Sequence, residues 1–89
     1  MYSKATTIIN ATGLHARPAS DFVREAAKYK SEITIQREGS ETAANAKSII
    51  LLLSQALSQG TKVIITAVGE DEQAAVDGLV ALIESGFGE

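Results

Sequence analysis

A single histidine stands in this chain, and its neighbours are those of an anion site: His15 is followed by Ala16, Arg17 and Pro18. Ala19, Phe22, Val23, Ala26 and Ala27 recur at helical spacing, so a helix is expected to begin directly after His15. Pro18 falls in its first turn, where a missing N–H is tolerated. His15 then takes the N-cap, and the amides of Ala16, Arg17 and the next turn have no helical partner. Unpaired amides at the positive end of a helix attract an anion. Arg17 adds a planar cation that can grip phosphate oxygens in pairs. A neutral imidazole that accepts a phosphoryl group becomes a phosphoramidate, and its new charge falls where the amides and Arg17 point. Phosphoryl transfer asks for little beyond such positioning and charge stabilisation. The same residue types also make an ordinary solvated helix cap, with Arg17 a surface charge, so types alone leave both readings open.

A second cluster begins at Ser48, a good N-cap, followed by the apolar run Ile49-Ile50-Leu51-Leu52-Leu53. A hydroxyl at a helix N-terminus is a place where added phosphate is tolerated. One helix of a small domain buries only a stripe, and five consecutive apolar positions exceed one face. Some of these side chains should therefore remain exposed and mark a partner surface. A fully packed helix or a dimer contact is the alternative.

The elements that must hold these clusters follow from the pattern. Residues 2–9 and Glu32–Arg37 read as strands, Glu38-Gly39-Ser40 as a turn, and Glu41–Asn45 as a short return strand. The first helix should fade near Tyr29-Lys30, with Lys28 and Lys30 suited to its negative end. The second should run from about Ser48 to Leu57 and stop at Gly60. Thr61–Val68 is the clearest strand. A third helix opens at Gly69-Glu70-Asp71-Glu72, buries Val76, Leu79, Val80 and Ile83, and ends at Gly86, with Phe87 folding back onto it. The order βαββαβα predicts an α+β open-faced β-sandwich, a four-stranded antiparallel sheet with three helices on one face. Order alone leaves a ferredoxin-like or other split βαβ domain open.

The inventory narrows the chemistry. The 89 residues contain no Cys, no Trp and one His, which excludes a disulfide framework, thiol catalysis and a multi-histidine metal site within one chain. A net charge of −3 with two Tyr and two Phe argues against nucleic-acid binding, which needs a basic stripe and stacking platforms. No signal peptide or membrane-length apolar run is visible. One domain spanning 1–89, cytoplasmic and monomeric, without metal or cofactor, is expected.

Gly13-Leu14-His15-Ala16-Arg17-Pro18-Ala19 resembles the active-site signature of the HPr family, the histidine-containing phosphocarriers of the bacterial phosphoenolpyruvate:sugar phosphotransferase system. Asn45-Ala46-Lys47-Ser48-Ile49 resembles the family's second signature, around its regulatory serine. The resemblance covers essentially the whole chain. It implies a phosphoryl group on Nδ1 of His15, received from phosphorylated Enzyme I and passed to a histidine of a sugar-specific IIA domain, with Arg17 and the amides after His15 stabilising charge. It implies a carrier that turns over nothing alone. It makes Ser48 the target of an ATP-dependent HPr kinase/phosphorylase, with a transcription regulator as a further partner. It places Leu52 in the core and Ile49, Ile50 and Leu53 on the docking surface. Four departures stand out, the first a tail, Val80 to Phe87, that resembles the nitrogen-branch paralogue and fused fructose-system domains more than the general sugar carrier. The segment Glu38–Asn45 is lengthened, Leu51 stands where small or polar residues are common, and Gln55-Ala56 replaces the usual Leu-Gly, which predicts a longer second helix.

Overall fold

The computed structural model describes residues 1–88. The elements follow in the order β1 (Tyr2–Thr7), α1 (Ala16–Ala26), β2 (Glu32–Arg37), β3 (Ala43–Asn45), α2 (Ile49–Ser54), β4 (Lys62–Val68) and α3 (Glu72–Glu84), with a short 3-10 turn at Gly86–Gly88. The four strands form one antiparallel sheet in the order β1-β4-β2-β3. Each helical crossover therefore joins two strands with a third inserted between them: β4 between β1 and β2, and β2 between β3 and β4. The central pair is β4 and β2. A ferredoxin-like sheet places its first and third strands there, so the alternative left open by element order is resolved.

Alternation along the strands decides which face is covered. Ile33, Ile35, Val63, Ile65 and Ala67 point to one side and are buried. Across them lie Phe22, Ala19 and Ala26 of α1, Leu52 of α2, and Val76, Leu79 and Ile83 of α3. Each fully buried Phe, Leu or Ile contributes about 1.5–3 kcal/mol relative to exposure. The opposite face carries Ser3, Thr34, Asn45 and Thr66, which stand in one cross-strand row. The stripe expected on α3 is buried, with Ala75 added to it. Gly86 and Phe87 close α3, both in left-handed backbone and both buried.

Several expected boundaries move: the return strand begins at Ala43 rather than Glu41, and β4 at Lys62 rather than Thr61. β1 ends at Thr7, although its pairing with the β4 side continues through Ile8 N–H to Thr61 O at 3.0 Å. α1 ends at Ala26, so Lys28 and Lys30 lie beyond it and the basic residue of its last turn is Arg24. Lys28 instead pairs with Glu25 at 3.0 Å.

The second helix is corrected more strongly. It stops at Ser54 rather than at Leu57, and it is shorter, not longer. Gln55 is the C-cap and Ala56 turns into the left-handed region at φ +53°, the geometry that the expected glycine would have supplied. Gly60 does not terminate this helix. Its φ of +88° turns the chain into β4, and its amide donates to Ile8 O at 2.7 Å. Leu57, read as helical, lies in the loop after α2 and is buried.

Candidate functional site

His15 is the N-cap of α1, with extended backbone at φ −130° and ψ 148°. Its side chain makes no capping hydrogen bond and is exposed, so the imidazole is presented to solvent at the helix end. Ala16, the first helical residue, has φ +41°, a left-handed conformation that is strained for a residue with a Cβ. Arg17 follows, exposed on the first turn, and Pro18 is buried beneath it. The first turn contains no acidic residue to oppose an incoming anion.

The turn before His15 is built by close backbone approach. Leu14 N–H donates to Leu57 O at 2.8 Å, while Gly13 N–H donates to Asn10 O at 3.1 Å. Asn10, itself buried, donates from its side-chain amide to Gly13 O at 2.9 Å. Gly13 has φ +67°, and a Cβ there would stand 2.5 Å from Leu57 O and 2.8 Å from Ser58 Cα. Only glycine fits that contact without displacing backbone.

This approach creates a shallow concavity of about 460 Å³ beside the imidazole, lined by Thr12, Leu14, His15, Leu53, Ala56, Leu57 and Ser58. It joins His15 to Leu53 of the second cluster. Thr12, Leu57 and Ser58 were not singled out from sequence. Thr12 and Ser58 are ordinary loop hydroxyls by type, and backbone bonds such as that between Leu14 and Leu57 bring residues some forty positions apart together.

Ser48 caps α2: its hydroxyl accepts from Leu51 N–H at 3.3 Å, and its carbonyl accepts from Leu52 N–H at 2.9 Å. The turn before it is fixed by Asn45 Oδ1, which accepts from Lys47 N–H at 2.9 Å, and by Lys47 Nζ, which donates at 2.7 Å to Tyr29 O in the segment after α1. Of the apolar run, Leu52 is fully buried. Ile50 is 77% exposed, Leu51 48%, Leu53 41% and Ile49 37%. Leu51 thus joins the three residues expected on the surface. Ile49, Ile50 and Leu53 are brought onto one exposed helix, of which Leu53 reaches the concavity at His15.

A small antiparallel open sandwich with an exposed imidazole at the N-cap of a helix whose first turn carries no acid defines a domain suited to accepting an anionic group in transit. The sequence matches, over residues 2–85, the family described as PTS-HPr, PTS HPr component phosphorylation site. The phosphocarrier protein HPr of Haemophilus influenzae is 54% identical over 83 residues, covering 93% of this chain and 95% of its own. That of Borreliella burgdorferi is 46% identical over 85 residues, covering 96% of each. The crystal structure of HPr-C-His from Thermoanaerobacter tengcongensis superposes with a TM-score of 0.95 at 46% identity, covering 100% of this chain and 98% of that one. The chain belongs to the HPr family and is a phosphocarrier of the phosphotransferase system. No helix among the described residues is long and apolar enough to cross a membrane.

Proposed function

We propose that His15 is the phosphoryl acceptor, that Enzyme I is the donor, and that IIA domains of sugar permeases receive the group from it. The observation that carries this reading is the exposed imidazole of His15 at the N-cap of α1, beside a concavity walled by Leu53 and Leu57. The Nδ1 lone pair attacks phosphorus, the bond from phosphorus to the donor breaks, and its electron pair leaves with the donor. The phosphoramidate then lies at the positive end of α1, near the amides of Ala16 and Arg17 and within the reach of the Arg17 side chain. Pro18 contributes no donor and fixes the backbone of the first turn. Onward transfer repeats the step in the opposite sense. The carrier acts as a single cytoplasmic domain, completes no turnover alone, and needs neither metal nor cofactor for this exchange. Ile49, Ile50 and Leu53 form the face that both partners touch.

The test is labelling with phosphoenolpyruvate and Enzyme I. The expected product is an acid-labile, base-stable phosphate that disappears in His15→Ala. Labelling that persists in this variant overturns the assignment.

A second reading, regulation at Ser48, draws on its place beside the exposed Ile49 and Ile50. A phosphate on this hydroxyl would displace the cap to Leu51 N–H and bring charge to the docking face. HPr kinase/phosphorylase with ATP should give an acid-stable label that Ser48→Ala lacks, and a transcription regulator would read that state. Absence of such a label with the cognate kinase removes this reading.

A further inference from the structure

The chain that leaves α2 makes a wall of the His15 concavity without the support of either helix or sheet. Gln55 and Ala56 follow the last helical residue, and Ala56 takes a left-handed conformation before the chain reaches Leu57 and Ser58. The carbonyls of Gln55 and Ala56 face away from any ladder. Both are taken by one side chain: Arg37 Nη2 donates to Gln55 O at 2.7 Å and to Ala56 O at 2.8 Å. Arg37 is the last residue of β2, so its backbone is anchored in the central sheet opposite Val63. Its charge also stands at the negative end of α2, where a cation is favoured. The next carbonyl along, that of Leu57, accepts the Leu14 amide. Three successive carbonyls of this wall are therefore held from outside: two by Arg37 and one by the turn that carries His15.

We propose that Arg37 is a positioning residue for partner docking, setting the Ala56 turn and, through it, the Leu53–Leu57 wall beside His15. The hairpin loop adds to the same strut, since Gln55 Nε2 reaches Thr42 O at 3.5 Å and Gln36 donates to Ser40 O. Arg37 is not among the residues that line the concavity at His15. Its loss should loosen the surface that a partner meets and leave the transferring group in place. This inference rests on the reading of His15 as acceptor and of the adjoining α2 face as the docking surface.

Steady-state kinetics with Enzyme I, taking this carrier as the varied substrate, separate the two effects. Arg37→Met, which keeps the aliphatic stem and removes the donors, should raise KM five- to tenfold with kcat within twofold of the parent. Arg37→Lys, whose ammonium can donate to the same carbonyls, should restore KM to within threefold. An unchanged KM in Arg37→Met overturns the proposal, as does a fall in kcat by the same factor with KM unaltered, or no rescue by lysine. If Arg37→Met does not fold, Arg37→Gln takes its place, with the same split expected and the same outcomes against it. The parent and His15→Ala, assayed alongside, isolate failure of the relay reading. Should the parent accept no phosphate, amide exchange decides the local claim: the Leu14 N–H should exchange at least tenfold faster in Arg37→Met than in the parent, with that of Ile65 unchanged. Equal Leu14 exchange overturns it.

Discussion

Leu14 and Leu57 meet through one backbone hydrogen bond of 2.8 Å, and that bond sets the turn before His15 against the loop that follows α2. Both side chains are buried, so the contact is held by apolar packing on one side while its other side opens as the concavity at His15. The His15 imidazole and the apolar helix are joined at this seam.

Gly13 lies within the seam. Gly13→Ala would put a Cβ 2.5 Å from Leu57 O at a φ of +67°. The expected loss is about 2–3 kcal/mol of stability, since backbone must move to relieve the clash. Phosphate acceptance from Enzyme I should fall along with it. Chemical denaturation and the labelling assay check both, and a variant as stable as the parent contradicts the close approach.

Ala56 makes the opposite prediction. Its φ of +53° costs an alanine roughly 1–2 kcal/mol, whereas glycine adopts it freely. Glycine also gains freedom in the unfolded chain, which offsets part of the relief. Ala56→Gly should therefore stabilise the protein by up to about 1 kcal/mol, seen as a higher Tm. A lower Tm would show that the left-handed turn is not the source of strain.

The apolar run divides into one buried residue and four exposed ones. Leu52→Ala empties a fully buried site and should lose about 2–5 kcal/mol. Ile50→Ser changes a side chain that is 77% exposed, and its stability should stay within about 0.5 kcal/mol of the parent. Its KM as a substrate of Enzyme I should nevertheless rise severalfold. An unchanged KM would remove Ile50 from the docking face.

Asp71 governs a pH response. Its carboxylate accepts from the Ser31 hydroxyl, from Lys30 N–H at 2.8 Å and from Ser31 N–H at 3.0 Å. The Ser31 hydroxyl, then the Lys30 amide, hold its pKa below the ordinary 3.8. A depressed carboxylate contributes stability that is fully present above 3.8 and is lost as pH falls through the lower folded value. The stability difference between the parent and Asp71→Asn should thus be largest above that value and shrink on acidification. Urea unfolding across that range checks the trend, and a difference that grows toward acid contradicts it.

The sequence by itself determined the element order, the covered face of the sheet and the local chemistry around His15. Alternation in Glu32–Arg37 and Lys62–Val68, and helical spacing from Ala19 to Ala26, are read within a few residues of one another. His15, Pro18 and Ser48 declare helix starts because capping depends on local backbone. The Gly13–Ala19 motif likewise made the family legible. Tertiary structure alone decided the strand order, since element order permits β4 to enter the sheet at more than one place. It also decided where α2 ends. Six helical residues are too few for intrinsic propensity to choose their own stopping point. Arg37, eighteen positions before Gln55, and the Leu14–Leu57 bond supply that choice from outside the segment. Leu57 and Ser58 became neighbours of His15 for the same reason: the contacts that gather them cross the fold and leave no periodic trace along the chain.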